Sequence, residues 1–364
     1  MLIYIYMYPI ILAGGTGTRL WPVSRKESPK QIQPFLDGET LLLKTYKRLI
    51  NSAPTENIFL STNISLFNEA KKQLKDLPLK NFVLEPVKRD TAGALGLSLL
   101  KILKRDKDGV FVYINSDAYI KNEKEYDRLL RLGESIIQKN PEKTLLIGIN
   151  PTYPETGYGY IEVGNFLKKF NEDDVFIVNS FKEKPDLETA KRYLESAKYL
   201  WNPTLIIARA DYFLSLYKKH LPEMYDILMK INEAIDTDDE DDVIADYFSQ
   251  ITPISIDNGI LEKEKDMIVM PGNFGWTDIG HWRAILDILS EDGKDNVELT
   301  NHIHTDSFGN FIYSLTGKLT ATIGLENMII VETEDALLIC PKNRAQDVKK
   351  IVQKLEEREM KEYL

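Results

Sequence analysis

Apolar residues along the chain fall into two alternating arrangements. Short unbroken runs have the length and β-branched or aromatic content of buried strands: Tyr8-Pro-Ile-Ile-Leu12, Asn57-Ile-Phe-Leu-Ser-Thr62, Asn81-Phe-Val-Leu-Glu85, Gly109-Val-Phe-Val-Tyr-Ile114 and residues 144–149. Between them, residues 41–50, 64–77, 91–103 and 123–138 repeat apolar positions at helical spacing. Strands that alternate with helices predict βαβ units and a parallel sheet. In such sheets ligands lie at the carboxyl ends of strands. The segment after Leu12, Glu85 and Asp117 all fall at such ends.

The pattern then shifts. Gly157-Tyr-Gly-Tyr-Ile-Glu-Val163 and Val175-Phe-Ile-Val-Asn-Ser-Phe181 read as strands of a mixed extension of the sheet. Residues 187–197 read as a helix, 205–208 as a strand, and 211–235 as helical with a break at Pro222. The acidic run 236–242 reads as a solvated loop and helix start. A strand at 267–270 leads into Pro271-Gly-Asn-Phe-Gly-Trp-Thr-Asp278, and a helix over 279–289 closes the first domain, residues 1–290. Beyond it, short apolar stretches at 311–312, 319–323, 328–331 and 336–339 are separated by Asn310, Gly317 and Gly324. This predicts a small coiled all-β domain over 291–364, ending in a helix at 345–359.

Composition narrows the possibilities. A chain of 364 residues, 43% hydrophobic, can bury a large core and exceeds the roughly 250–300 residues at which single cores give way to several domains. A net charge of −10 argues against nucleic acid as a partner. No apolar run reaches the ~20 residues of a membrane span. Cys340, the only cysteine, allows no intrachain disulfide and fits a reducing, cytoplasmic setting; it reads as a small buried hydrophobe. The apolar start lacks a basic leader, and its removal would delete the first strand, so it reads as structure rather than a signal peptide; Met1 and Met7 are both candidate starts.

The candidate chemistry begins at Leu12-Ala-Gly-Gly-Thr-Gly-Thr-Arg-Leu-Trp-Pro-Val-Ser-Arg-Lys-Glu-Ser-Pro-Lys30-Gln31. Gly14, Gly15 and Gly17 allow close backbone approach and positive φ, and successive bare N–H groups form a cradle for anions. Arg19, Arg25 and Lys30 follow, cations suited to phosphate oxygens. The segment lacks the G-x-x-x-x-G-K-[ST] of a Walker loop, and Leu20 stands where the dinucleotide fingerprint needs its last glycine. It reads as a polyphosphate-binding loop.

The same residues resemble, position by position, the G-x-G-T-R-L-W-P-x-S-R-x-x-x-P-K-Q signature of mannose-1-phosphate guanylyltransferases, a branch of the sugar-1-phosphate nucleotidyltransferases. Trp21 and Gln31 point to the mannose branch. Glu85-Pro86-x-x-Arg89-x-Thr91-Ala92, Glu155-Thr-Gly-Tyr-Gly-Tyr-Ile161, Phe181-x-Glu183-Lys184-Pro185 and Gly275-Trp-Thr-Asp278 agree in order. The resemblance implies a Rossmann-like α/β nucleotidyltransferase domain with a mixed, mainly parallel sheet, and a small C-terminal left-handed β-helix-like domain. Three segments depart from the family pattern: Asn115-Ser-Asp117-Ala118 for P-A-D-H, Trp201-Asn202-Pro203-Thr204 for W-N-S-G, and Asn258 after Ser255-Ile-Asp257 where tyrosine is usual. The last two fall where the family contacts the sugar.

The reaction implied is GTP plus mannose 1-phosphate giving GDP-mannose and pyrophosphate, by in-line attack of the sugar phosphate on the α-phosphorus. It needs no protein nucleophile, because catalysis rests on positioning and charge stabilisation. Leu12, Ala13, Gly14, Gly15, Thr16, Gly17, Thr18 and Arg19 are expected to line the nucleotide, with Arg19 on the β- and γ-phosphates and Lys30 on the transferring phosphate. Asp117 and Asp278 are the expected Mg²⁺ ligands; taken singly, each also reads as a helix cap, Asp278 for a helix beginning at Ile279. Glu85 is expected to accept from guanine N1–H and N2, in a pocket shaped by Pro86, Thr91 and Ala92; its alternative is a solvated strand end. Gly157, Tyr158 and Gly159 are expected beside the hexose. Glu183 would take its hydroxyls, Lys184 its phosphate, and Asn202 is a further contact. Arg25 reads equally as a salt-bridge partner.

Two other functions remain open on sequence: transfer of a thymidylyl or uridylyl group to another sugar 1-phosphate, and a catalytically silent nucleotide-sugar-binding regulator. Some family members carry an added isomerase domain; the expectation here is transferase activity alone. A homodimer through the β-rich domain is expected. His302 and His304, two apart and so facing one side if on a strand, read as an exposed loop pair, with a metal pair as the alternative, and His281 reads as helix surface.

Overall fold

A computed structural model describes residues 7–364 other than 16, 37 and 291–293. The expectations for Thr16, for a domain start at Glu291 and for Met1 fall outside these residues. The chain forms two compact units, one from residues up to 14, 45–116 and 120–276, the other from 15–44, 117–119 and 277–364.

The first unit is built on a ten-stranded mixed sheet. Its order is Phe82–Glu85, Phe59–Asn63, Tyr8–Ala13, Val110–Asn115, Ile206–Arg209, Thr144–Ile149, Met267–Gly272, Asp173–Lys182, Gly159–Phe170 and Tyr199–Asn202. The first four pair parallel, as the continuous apolar runs require of strands covered on both faces. Ile206–Arg209 is inserted antiparallel, and Met267–Gly272 runs parallel to Thr144–Ile149. Helix Asp90–Arg105 packs its buried small and apolar residues into this core. The parallel strands place Gly14, Glu85 and Asp117 at or just beyond their carboxyl ends.

Several elements differ from the pattern reading. The hairpin Gly159–Phe170 and Asp173–Lys182 runs well beyond residue 163 on its first arm, because its outer part is solvated and carries no apolar alternation. Strand Tyr199–Asn202 is four residues long and carried no separate signal. Residues 64–77 hold a 3-10 turn and the short helix Phe67–Gln73, ending before Pro78. Pro222 starts a helix, Pro222–Ala234, at the position where its missing N–H costs nothing. Three residues of the acidic run form the first turn of Glu240–Phe248, where the helix dipole favours them.

In the second unit, Leu20, Trp21, Val23 and Phe35 share one core with Trp282, Ile285, Phe311, Tyr313, Ile329 and Val352. Packing therefore joins the segment after the glycine-rich loop to the C-terminal third. Strands Val297–Leu299, Phe311–Ser314 and Met328–Glu332 stack in parallel register, with Leu337–Pro341 antiparallel at the edge. His302–Thr305 and Thr320–Ile323 form a second parallel pair, giving β-helix-like coils. The two histidines thus lie on a strand rather than in a loop, and the His302 side chain is fully covered, bonded to Glu298 and Thr322. The helix expected from residue 279 is Trp282–Leu289, and the terminal one is Val348–Glu357 after a 3-10 turn. Cys340 is half-buried.

Candidate active site

The glycine-rich loop after strand Tyr8–Ala13 needs its glycines for two reasons. Gly15 and Gly17 have φ of 97° and 62°, in the left-handed region. A Cβ on Gly17 would also sit 2.7 Å from Ser24 Oγ and 2.9 Å from Lys30 Cβ. The loop turns at once into the 3-10 segment Thr18–Leu20, which presents Arg19 while Leu20 and Trp21 anchor in the core of the second unit. Trp282 Nε1 donates to Trp21 O at 2.9 Å and fixes that anchor.

Within the same unit Lys30 is 93% covered. Its Nζ lies 2.7 Å from Asp117 Oδ2 and 4.0 Å from Asp278 Oδ1, and it donates to Ile279 O at 2.9 Å. Burial alone would lower the Lys30 pKa; Asp117 and Asp278 outweigh it and hold the ammonium above its ordinary value. Neither aspartate caps a helix. Asp117 sits between strands Val110–Asn115 and Ala118–Ile120, and His281 caps Trp282–Leu289 by accepting from Ala284 N–H. That burial, with Arg19 nearby, pushes the His281 imidazole down to about 4, so it stays neutral as a cap rather than lying on the helix surface. Arg25 takes the salt-bridge role, pairing with Asp335 at 2.8 Å and donating to Pro22 O.

Arg19 Nη1 donates to Gln346 Oε1 at 2.8 Å. A Cβ on Gly280 would lie 2.5 Å from Asp278 Oδ2 and 3.2 Å from Arg19 Nη2, so carboxylate and guanidinium converge over that glycine. Two carboxylates, partly open and gathered around one ammonium, suit a hard divalent cation that completes its shell with phosphate oxygens. Among the described residues no group of three or more acidic, histidine or cysteine ligands stands ready without such oxygens.

The first unit gathers the other expected residues. Glu85 is 92% covered, which overturns the solvated strand end. Burial pushes its carboxyl up to about 7, against a weak contact from Ser61 Oγ at 3.5 Å. Thr91 O accepts from Tyr113 Oη at 3.4 Å, Thr91 Oγ1 accepts from Ile256 N–H at 2.7 Å, and Ala92 N–H donates to Ile254 O. The start of helix Asp90–Arg105 is thereby tied to the segment that carries Asp257.

Gly159, Glu183 and Asn202 meet: a Cβ on Gly159 would lie 2.7 Å from Glu183 Oε2 and 3.3 Å from Asn202 Cβ. Lys184 Nζ pairs with Glu183 Oε1 at 2.5 Å. Asn202 uses both ends of its amide, donating to Asp257 Oδ1 at 3.0 Å and accepting from Thr204 N–H at 3.1 Å. Tyr158 packs edge-on against Trp201 and Trp276 as a wall, whereas Gly157 is exposed and donates to Glu155 Oε1.

Two residues belong to these clusters without having been singled out. Asp257 is 92% covered, and burial with Glu183 nearby raises its carboxyl to about 7, opposed by Lys184. It is 55 residues from Asn202, so only the Ser255-Ile-Asp257 segment signalled it. Gln346 had no sequence signal, because its role depends on tertiary placement beside Arg19.

Comparison with known proteins fits this geometry. A nucleotidyl transferase family model matches residues 8–295, and a MannoseP isomerase/GMP-like beta-helix domain model matches residues 300–355. A mannose-1-phosphate guanylyltransferase of Salmonella montevideo is 36% identical, over 95% of this chain and 73% of its own length. The chain belongs to the nucleotidyl transferase family, in its mannose-1-phosphate guanylyltransferase branch. The alginate biosynthesis protein AlgA of Pseudomonas syringae pv. tomato is 34% identical, over 96% of this chain and 72% of its own length. A crystal structure from Thermus thermophilus, described as a mannose-1-phosphate geranyltransferase, superposes with TM-score 0.86 at 29% identity, covering 96% of this chain and 99% of that one. The chain is thus an enzyme of a family that works on nucleoside triphosphates and sugar phosphates with a divalent metal. Among the described residues no helix of this nucleotidyl transferase is long and apolar enough to cross a membrane.

Proposed function

We propose that the protein transfers GMP from GTP to mannose 1-phosphate, releasing pyrophosphate. The observation that carries the reaction class is buried Lys30, bracketed by Asp117 and Asp278 in the unit that also holds Gly15, Gly17 and Arg19. Fixed positive charge of this kind lowers the barrier to phosphoryl-group transfer without a protein nucleophile. In this reading the backbone from Leu12 to Thr18 and Arg19 hold the triphosphate, and Lys30 neutralises charge on the group in transfer. Asp117 and Asp278 would hold Mg²⁺, which supplies further charge neutralisation at the phosphates. Lys184 binds the sugar phosphate and so orients the attacking oxygen.

Glu85 supports guanine as the base. A carboxylate accepts two donors, N1–H and the N2 amino group, and a base offering one leaves a buried acceptor unmatched. Pro86, Thr91 and Ala92 line that pocket. Glu183, Asn202, Gly157, Tyr158 and Gly159 serve the hexose. Residues 1–290 act as the transferase domain and 291–364 as a β-rich domain, a division supported by the two family models, although packing groups residues 15–44 and 277–290 with the β-rich part. The exposed Ile303, Leu319, Ile323, Leu337 and Ile339 of that domain support a homodimer, which light scattering after size exclusion reads directly. The single cysteine, Cys340, fits a cytoplasmic setting.

The decisive assay measures pyrophosphate release with a nucleotide panel against mannose 1-phosphate and glucose 1-phosphate, with and without Mg²⁺. The expected result is turnover with GTP and mannose 1-phosphate that stops on chelation. Turnover with dTTP or UTP in place of GTP overturns the base assignment, and no release with any pair overturns the reaction.

A further inference from the structure

The C-terminal segment meets the stretch that follows the glycine-rich loop, residues 19–26, at four points, all inside the second unit. Asp335 pairs with Arg25, Glu356 with Lys26 at 2.9 Å, and Tyr363 O accepts from Trp21 Nε1 at 2.8 Å. These three hold residues that flank the loop's end. The fourth holds Arg19 itself, through Gln346 Oε1. Gln346 rides on the 3-10 turn Lys342–Asp347, whose backbone is anchored by buried Ala345 and Val348, while its own side chain is exposed.

The chemistry of this contact is selective. A guanidinium is a rigid planar fork. Nη1 is held by Gln346, and Nη2 lies over Gly280, where a Cβ would come within 3.2 Å of it, so the fork has its side-chain hydrogen bond on the Gln346 side. An amide oxygen orients the fork without cancelling its charge, whereas a second carboxylate would neutralise it. We propose that Gln346 is a positioning residue that aims Arg19 at the triphosphate, making the C-terminal segment part of the catalytic apparatus. The inference rests on the reading of Arg19 as a triphosphate ligand.

The test compares Gln346→Met, Gln346→Glu, Arg19→Ala and the double variant Arg19→Ala/Gln346→Met in the full chain, with kcat and KM for each substrate and the melting temperature. Gln346→Met keeps the shape and removes the acceptor. It should raise KM for GTP about five- to tenfold, as expected for an exposed hydrogen bond to a charged group. KM for mannose 1-phosphate and the melting temperature should not move, which separates positioning from a structural role. Gln346→Glu should raise KM for GTP as well, because it cancels charge. Arg19→Ala should lose more, and the double variant no more than Arg19→Ala, since the two act in series. A normal KM for GTP in Gln346→Met, beside an impaired Arg19→Ala, overturns the positioning role alone. Additive losses in the double variant overturn it too. An unimpaired Arg19→Ala overturns the triphosphate reading, and the positioning role with it.

Discussion

The two groups of site residues solve opposite physical problems. Around Lys30, charge is buried with its counter-charges, and positive φ in the adjoining loop falls on Gly15 and Gly17. Around Glu85 and Asp257, carboxyls are buried with one neutral side-chain hydrogen bond each, from Ser61 and Asn202, and burial raises both to about 7. Positive φ there falls on residues with side chains: Asp90 at 63°, Lys184 at 43° and Thr204 at 60°. The first group is paired and relaxed, as suits the cradle proposed for the triphosphate. The second is desolvated and strained, as suits a proposed selective site whose buried acceptors have room for the donors of the right partner.

Removing Lys30 should have the largest effect. Lys30→Met takes away the cation shared by Asp117 and Asp278. Loss of one preorganised charge donor should lower kcat about a thousandfold, with a smaller change in KM for GTP because the loop amides remain. Stopped-flow pyrophosphate detection reads the split, with circular dichroism as the fold control. A kcat within tenfold of wild type would mean that Lys30 is a structural counter-ion only.

Glu85 should behave in the reverse manner. Glu85→Gln should raise KM for GTP by about ten- to a hundredfold, the range for an unmatched buried partner, and leave kcat close to wild type. Its pH dependence sharpens the contrast. With the carboxyl at about 7, the neutral form dominates below that pH and cannot accept both guanine donors. KM for GTP, measured at saturating mannose 1-phosphate, should therefore fall as pH rises from 6 to 8, and Glu85→Gln should flatten the curve. Stability follows the same linkage. A raised carboxyl contributes stability that is fully present below its ordinary pKa and is lost as pH rises through about 7. Raised Lys30 keeps its contribution throughout that window, because its pKa stays above the usual lysine value. A KM for GTP that is flat in the wild type would remove Glu85 from base recognition.

How much of this was legible in the sequence follows the same division. Gly15, Gly17, Arg19 and Lys30 lie within one short segment, so local spacing carried their grouping. Asp117 and Glu85 were placed by the ends of apolar strands, a signal that survives because parallel strands are covered on both faces. The cluster proposed for the hexose joins Gly159, Glu183, Asn202 and Asp257 from four separate segments, and antiparallel insertion and a solvated hairpin blurred the pattern there. Burial of Glu85 and strain at Thr204 are tertiary properties with no local signature.

The smallest expected effect bears on strain. Thr204 is β-branched and sits in the left-handed region, where such residues are disfavoured by roughly 1–2 kcal/mol. Glycine relieves that cost but adds about 0.5–1 kcal/mol of unfolded-chain entropy. Thr204→Gly should thus raise the melting temperature by about one to two degrees. It keeps the N–H that Asn202 Oδ1 accepts, so the Asn202–Asp257 bond survives. What it removes is the stiffness that holds Asn202 before the sugar arrives, so KM for mannose 1-phosphate should rise about twofold while KM for GTP stays fixed. A lower melting temperature would show that the Thr204 side chain contributes more than its backbone conformation costs, and the contrast between a relaxed glycine-rich loop and a strained Thr204 segment would lose its energetic basis.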